Sequence, residues 1–240
     1  MKFGVIGGNG VAATNRLCDM IERKVTKFGA FRDAHHPEMI IAQATQVPSR
    51  SMFLEGKGES FVPQYVDLAK MLKDNGCDKV CMCCNTAHYA IDEIASASDA
   101  NFINLLDVVA DRVRQARLRQ IELWVSDGAR KFDIYGKVFK KNTKNIEILY
   151  PSSERQALVT KIICAVKTHS RFLPQSSPHH PRSMIRKLLR DAAAPVVFGC
   201  TDIRVAYQPD DQLDEGIALD SLECLADEIV HLFLKRWKAI

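Results

Sequence analysis

Short apolar runs and longer stretches of helical periodicity alternate along this chain from end to end. The runs at 2–6, 39–44, 79–82, 102–104, 121–125, 146–149, 196–198 and 217–219 are mostly Val, Ile, Leu, Met, Phe and Cys. Near-continuous runs of this length predict strands buried on both faces, as in parallel sheets. Between them, helical spacing covers 14–27, where Leu17, Met20, Ile21 and Val25 share one face. The same spacing returns at 61–75, 86–97, 108–118, 132–140, 154–167, 183–191 and 222–238. Pro63 near the first turn of the 61–75 segment and Gly76 just past it are start and stop signals. Strands alternating with helices of about 10 to 16 residues predict an α/β fold of mainly parallel sheets with flanking helices. The scheme runs through twice, once in each half. Ligands in such folds bind beyond the carboxyl ends of the strands.

The length of 240 residues allows one large domain or two of roughly 100 residues each. The net charge of +4 is small and scattered. The densest basic stretch, 137–144 with Lys137, Lys140, Lys141 and Lys144, has the spacing of a solvated helix end rather than of a phosphate groove. No nucleic-acid partner is therefore expected. No segment holds 18 consecutive apolar residues, and the N-terminus enters a strand at once in place of a charged-then-apolar leader. A cytoplasmic protein with no membrane partner is predicted. Eight cysteines stand at 18, 77, 81, 83, 84, 164, 200 and 224, mostly inside apolar patterns, which fits free thiols in a reducing compartment. The group Cys81, Cys83, Cys84 and His88 invites a zinc reading, but structural zinc wants spaced pairs and no second pair follows. No metal is expected. The Pro- and Ser-rich stretch 170–181, with His179 and His180, reads as a connector rather than a lid.

Two triplets carry the candidate chemistry. Cys84-Asn85-Thr86 and Cys200-Thr201-Asp202 each end an apolar run, about half the chain apart. A cysteine at such a point meets backbone N–H groups that favour its thiolate. If Cys83 continues the strand, it points into the sheet packing and leaves Cys84 at the turn. Gly8-Asn9-Gly10-Val11-Ala12-Ala13 matches the loose form of a dinucleotide fingerprint. The acidic residue such a site needs at the end of the second strand is missing, where Gln43, Thr45 and Gln46 stand. The loop then reads either as N–H donors for a small anion such as a carboxylate or as a tight turn that only needs glycine. Arg50, after the second strand, would face the same rim and could pair with a carboxylate.

These residues resemble the aspartate/glutamate racemase superfamily along nearly the whole chain. The likeness runs through Gly7-Gly8-x-Gly10 with Thr14, Arg50, Cys84-Asn85-Thr86-Ala87-His88, Pro151 with Glu154-Arg155, Gly199-Cys200-Thr201-Asp202, and Asp220 before the last helix. The resemblance implies two α/β domains related by a pseudo-twofold axis, 1–107 plus 215–240 carrying Cys84 and 108–214 carrying Cys200. It implies an active site in the cleft between them, no cofactor, an amino-acid substrate and a homodimer. Cys84 and Cys200 would be catalytic, with Gly8, Asn9, Gly10, Arg50, Asn85, Thr86, Lys167 and Thr201 binding substrate and Asp202 supporting Cys200. Glutamate racemases carry His where Asp202 stands, so Asp202 is similar to the aspartate racemase branch. Ser49 replaces the family's usual acid before the arginine, Asn9 stands where a hydrophobic residue is common, and Ser126 retains one of two usual hydroxyls. His88, one helical turn after Cys84, is either a partner for that thiol or a packed histidine. Two alternatives stay open: a maleate isomerase- or decarboxylase-type enzyme of the same superfamily, and a non-catalytic relative that binds small acids.

Overall fold

The computed structural model describes residues 1–142 and 146–237. Among these, eight strands form two separate four-stranded sheets, and every strand pair is parallel. The first sheet has the order β2-β1-β3-β4, with β1 Lys2–Gly7, β2 Glu38–Gln43, β3 Lys79–Met82 and β4 Phe102–Ile103. The second has the order β6-β5-β7-β8, with β5 Gln120–Trp124, β6 Glu147–Leu149, β7 Val196–Phe198 and β8 Ile217–Asp220. Each sheet thus runs second, first, third, fourth. β3 and β7 hold equivalent central places, and each is followed two residues later by a cysteine of the triplets.

Strand parity sorts the side chains into three cores. Phe3 and Val5 of β1, Cys81 and Cys83 around β3, Ile121 and Leu123 of β5, and Val197 of β7 all enter one central cluster. That cluster is filled from between the sheets by α1 (Val11–Lys27), α5 (Leu105–Gln115), α7 (Ile134–Asn142) and α10 (Ser221–Trp237). Alternate residues face outward. Ile6, Val80 and Met82 pack under α3 (Val62–Asp74) and α4 (Ile91–Ser98), while Trp124, Val196 and Phe198 pack under α8 (Ser153–Ala165) and α9 (Pro181–Leu189). Near-complete burial on both sides accounts for the unbroken apolar runs. No helix among the described residues is long and apolar enough to cross a membrane.

Several expected elements shift. The segment 215–240 does not go as a block with the first half, because β8 pairs with β7 (Val197↔Leu219, Phe198↔Asp220) and only α10 returns to pack on α1 and α5. Pairing β8 there covers backbone groups along β7 that would otherwise be unsatisfied. The helix expected over 132–140 is α7, and a further short helix, α6 (Asp127–Lys131), precedes it, the two parted at Asp133, whose φ of 48° is left-handed. The helix expected over 86–97 opens with a 3₁₀ turn at Thr86–Ala90 before α4. A further helix, α2 (Arg50–Leu54), has five residues and too little length to show a period. Lys144 of the basic stretch and Lys238, the expected end of the last helix, lie outside the described residues.

The second half carries a buried charge on its central strand β5. Glu122, on β5 and 3% exposed, accepts hydrogen bonds from Trp124 Nε1, Arg155 Nη2 and the Ala193 N–H, each at 2.8 Å. Burial pushes its carboxyl up, but these three donors and the Arg155 charge outweigh that and hold it below its ordinary value. The Glu154-Arg155 pair of the sequence motif therefore has a structural task through Arg155. Breaking a buried pair from one side costs about 3 kcal/mol or more. Glu122→Gln should lose stability on that order in urea melts, and a change within about 0.5 kcal/mol would mean that the network carries little of the fold.

Candidate active site

The carboxyl ends of β3 and β7 meet directly. Thr201 Oγ1, one residue past Cys200, donates to the Cys83 carbonyl at 3.3 Å. Cys84 and Cys200 therefore flank a bond that crosses between the two sheets. Cys83 is fully buried in the central core, as strand parity requires, while Cys84 turns to the other face and is 8% exposed. Cys200 is partly exposed. The Cys84 charge is the last of the causes that raise the Cys200 thiol.

Next to this junction lies a cleft of about 470 Å³ whose walls include Gly8, Asn9, Gly10, Arg50, Lys167 and Asp202; Cys84 and Cys200 are not among its lining residues, and Asp202, two residues past Cys200, links the two. These come from both halves: the β1–α1 loop and the start of α2 on one side, the end of α8 and the turn after β7 on the other. Lys167 Nζ reaches Asp202 Oδ2 at 2.9 Å, with Asp202 itself 5% exposed. Arg50 donates from Nη1 to the Pro48 carbonyl at 3.0 Å and forms no ion pair among the described residues. Its Nε is buried without a partner. Ser49 caps α2 by accepting from the Met52 N–H at 3.3 Å, a task an aspartate there would also perform.

The glycine loop owes its composition to this junction. Gly8 has φ +82°, and a Cβ on it would come within 2.6 Å of the Ala44 nitrogen. Gly10 has φ +144°, and a Cβ there would overlap Asp202 Oδ1. The anion that meets this loop is the carboxylate of the opposite half. Gln43, where a dinucleotide site wants an acid, donates from Nε2 to Asn15 at 2.8 Å.

Electrostatics divides the residues near Cys200. Burial, and then the Asp202 carboxylate, push its thiol well up, while the Asp202 N–H and the Lys167 charge pull the other way. Burial also raises the Asp202 carboxyl, against the pull of Lys167 and Arg50. For Lys167, burial works to lower its pKa, but Asp202 outweighs this and the net shift is upward. Lys167 also feels the charge of both Cys200 and Cys84.

Other predicted binding residues are occupied elsewhere. Asn85 donates to Ser221 Oγ at 3.0 Å and accepts from the Tyr135 hydroxyl, Thr86 bonds Ser126 Oγ at 2.9 Å, and Thr201 is taken up by the strand-end tie. These three hold the junction's shape and do not line the cleft. His88 is a packed histidine: its Nε2 accepts the Leu105 N–H at 3.1 Å, so Nδ1 carries the proton and donates to the Cys84 carbonyl at 2.9 Å. Among the described residues, no group of three or more His, Cys, Asp or Glu side chains is arranged to hold a metal ion. Sequence reasoning missed Arg171, which lies in a 3₁₀ turn (His169–Phe172) and joins the cleft wall. A cation in a Pro- and Ser-rich connector has no local pattern to mark it. The expected connector thus begins with a piece of the site. His180, further along, caps α9 by accepting the Arg182 N–H at 3.1 Å.

The family described as Asp/Glu/Hydantoin racemase matches residues 5–229. The chain is 23% identical over 237 residues to the broad specificity amino-acid racemase RacX of Bacillus subtilis (strain 168), covering 97% of this chain and 98% of that protein. Its fold is similar to Picrophilus torridus aspartate racemase, with a TM-score of 0.78 at 24% identity, covering 97% and 94% of the two chains. Glutamate racemase isoform RacE1 from Bacillus anthracis superposes with a TM-score of 0.65 at 14% identity, covering 98% and 82%.

His88 generates a pH prediction. Burial lowers its pKa from 6.5 to about 4, so the folded chain holds it neutral while the unfolded chain protonates it first. The stability this neutral ring contributes is complete above pH 6.5 and drains away as pH falls towards 4. His88→Ala leaves the Leu105 N–H and the Cys84 carbonyl unpaired and should cost about 2 kcal/mol at a pH of about 7.5. The gap between wild type and variant should narrow at a pH of about 4.5 in urea melts. A gap of constant size across that range would overturn this account.

Proposed function

This chain belongs to the Asp/Glu/hydantoin racemase family, and we propose that it interconverts the enantiomers of an acidic amino acid, aspartate or glutamate, by passing the α-proton between Cys84 and Cys200 without a cofactor. That it is a racemase, and so an isomerase, follows from the family. The observation that carries the finer reading is the Thr201–Cys83 hydrogen bond between equivalent strand ends of two sheets with the same strand order. A reaction that removes a proton from one face of a planar carbanion and returns one to the other needs a base on each side. A pseudo-symmetric junction supplies one from each half.

In this mechanism one sulfur, as thiolate, takes the α-proton, and the other, as thiol, delivers its own to the opposite face. The α-carbon exchanges one C–H bond for another, and the sulfurs trade protonation states. Asp202, made more basic by burial, is suited to draw the proton from Cys200 when the reaction runs in reverse. The carbanion beside a carboxylate needs nearby positive charge, and Arg50 and Lys167 provide it at the cleft wall. Cys84 has little open surface, and Lys167 and Asp202, paired at 2.9 Å, share the cleft wall, Asp202 two residues beyond Cys200.

Cys84→Ser and Cys200→Ser should each lower racemisation of aspartate by about a thousandfold, within the range expected for losing a general acid or base. In ²H₂O each single variant should still exchange the α-hydrogen of one enantiomer, and of opposite enantiomers for the two variants. Full activity in the double variant would end the two-thiol reading.

A further inference from the structure

The charges on the cleft wall do not balance without a second carboxylate. Three cations face it, Arg50, Lys167 and Arg171, against one acid, Asp202. Lys167 and Asp202 form their own ion pair at 2.9 Å, which leaves the two arginines in excess. Neither forms an ion pair among the described residues. Asp19, which lines the adjoining surface groove together with Arg171, is already engaged by Arg16 at 3.6 Å and Arg23 at 2.8 Å. Arg171 instead has its guanidinium over the Phe172 ring, 4.4 Å from its centre. Stacking of that kind fixes the plane of a guanidinium while leaving its N–H edge free for a carboxylate.

An amino acid with a neutral side chain brings one carboxylate to this cleft and would leave one arginine unmatched in a partly desolvated wall, a costly arrangement. A dicarboxylic amino acid brings two. Arg50 opens α2 in the first half, Arg171 lies in the turn that follows α8 in the second, and both line the cleft. We propose that Arg171 binds the side-chain carboxylate of the substrate, so that it, with Arg50 on the other carboxylate, selects acidic over neutral amino acids. The inference deepens the racemase reading and rests on it only for the identity of the reaction. The charge selection can be read by binding alone.

The test compares succinate with butyrate, which share a four-carbon chain and differ by one carboxylate, by calorimetry on the full chain. Wild type should bind succinate at least about tenfold more tightly than butyrate, the scale of one charge-assisted hydrogen bond. In Arg171→Leu that ratio should fall to about threefold or less, and in Arg171→Lys, which keeps the charge but not the fork, it should lie between. The same variants, assayed with L-aspartate and L-alanine in ²H₂O, should shift the ratio of kcat/KM in the same direction. An unchanged succinate-to-butyrate ratio in Arg171→Leu, no preference in wild type, or loss of both ligands together would overturn the assignment. If instead succinate is preferred through Arg171 but no amino acid gains α-deuterium, the proposed racemisation fails while this inference stands.

Discussion

The chemistry of this chain depends on two strand ends being held against each other. β3 and β7 belong to different sheets, and the hydrogen bond from Thr201 to the Cys83 carbonyl is the direct tie between them. One bond of this kind contributes only about 1 kcal/mol. It persists because the two sheets share a core. α1, α5, α7 and α10 fill the space between them, and residues from both sheets enter one cluster. The halves are therefore not free to separate as independent domains, although each repeats the strand order of the other. Asn85 extends the same restraint, bonding Tyr135 from the second half and Ser221 at the start of α10.

Charge around the junction is arranged with opposing effects, and their balance follows from where each group sits. The Asp202 carboxylate disfavours a Cys200 thiolate, while its own N–H and Lys167 favour it. A carboxylate whose pKa is lifted by burial can hold a proton that an exposed aspartate would release. The pair formed with Lys167 keeps that burial tolerable when no ligand is present. Arg50 and Arg171 have no such internal partner among the described residues, so the cleft wall carries an excess of positive charge. That field draws in small anions and raises their local concentration.

How much of this is legible in the sequence varies with the kind of signal. The apolar pattern gives β3 and β7 their observed bounds, because a parallel strand buried on both faces leaves a short apolar run with abrupt ends. The preference for Cys84 over Cys83 follows from the same two-residue alternation, since Cys81 and Cys83 both enter the central core. The binding roles expected of Asn85, Thr86 and Thr201 rest on weaker ground. A sequence shows which side chains can hydrogen-bond a substrate but not which are already engaged by a distant partner such as Tyr135 or Ser126. The expected grouping of β8 with the first half departs from the structure for a similar reason. Its neighbour in the chain, α10, packs on α1, whereas its own backbone pairs with β7. Arg171 leaves no trace in any periodicity, because its turn is four residues long and it joins the cleft wall from a different part of the chain than Arg50.

The glycine loop unites these strands of reasoning. Read alone, Gly8-Asn9-Gly10 fits a dinucleotide fingerprint, an anion cradle or a plain turn. The contact at Gly10 decides among them, since a side chain there would overlap the carboxylate of Asp202. No dinucleotide phosphate could occupy that point while Asp202 does. The loop is instead the surface on which the second half rests its acid, two residues past Cys200. Gly10 lacks a side chain so that Asp202 can approach, and Asp202 is buried because Gly10 lets it in. The burial that raises the Asp202 carboxyl thus depends on a missing Cβ in the opposite half of the molecule.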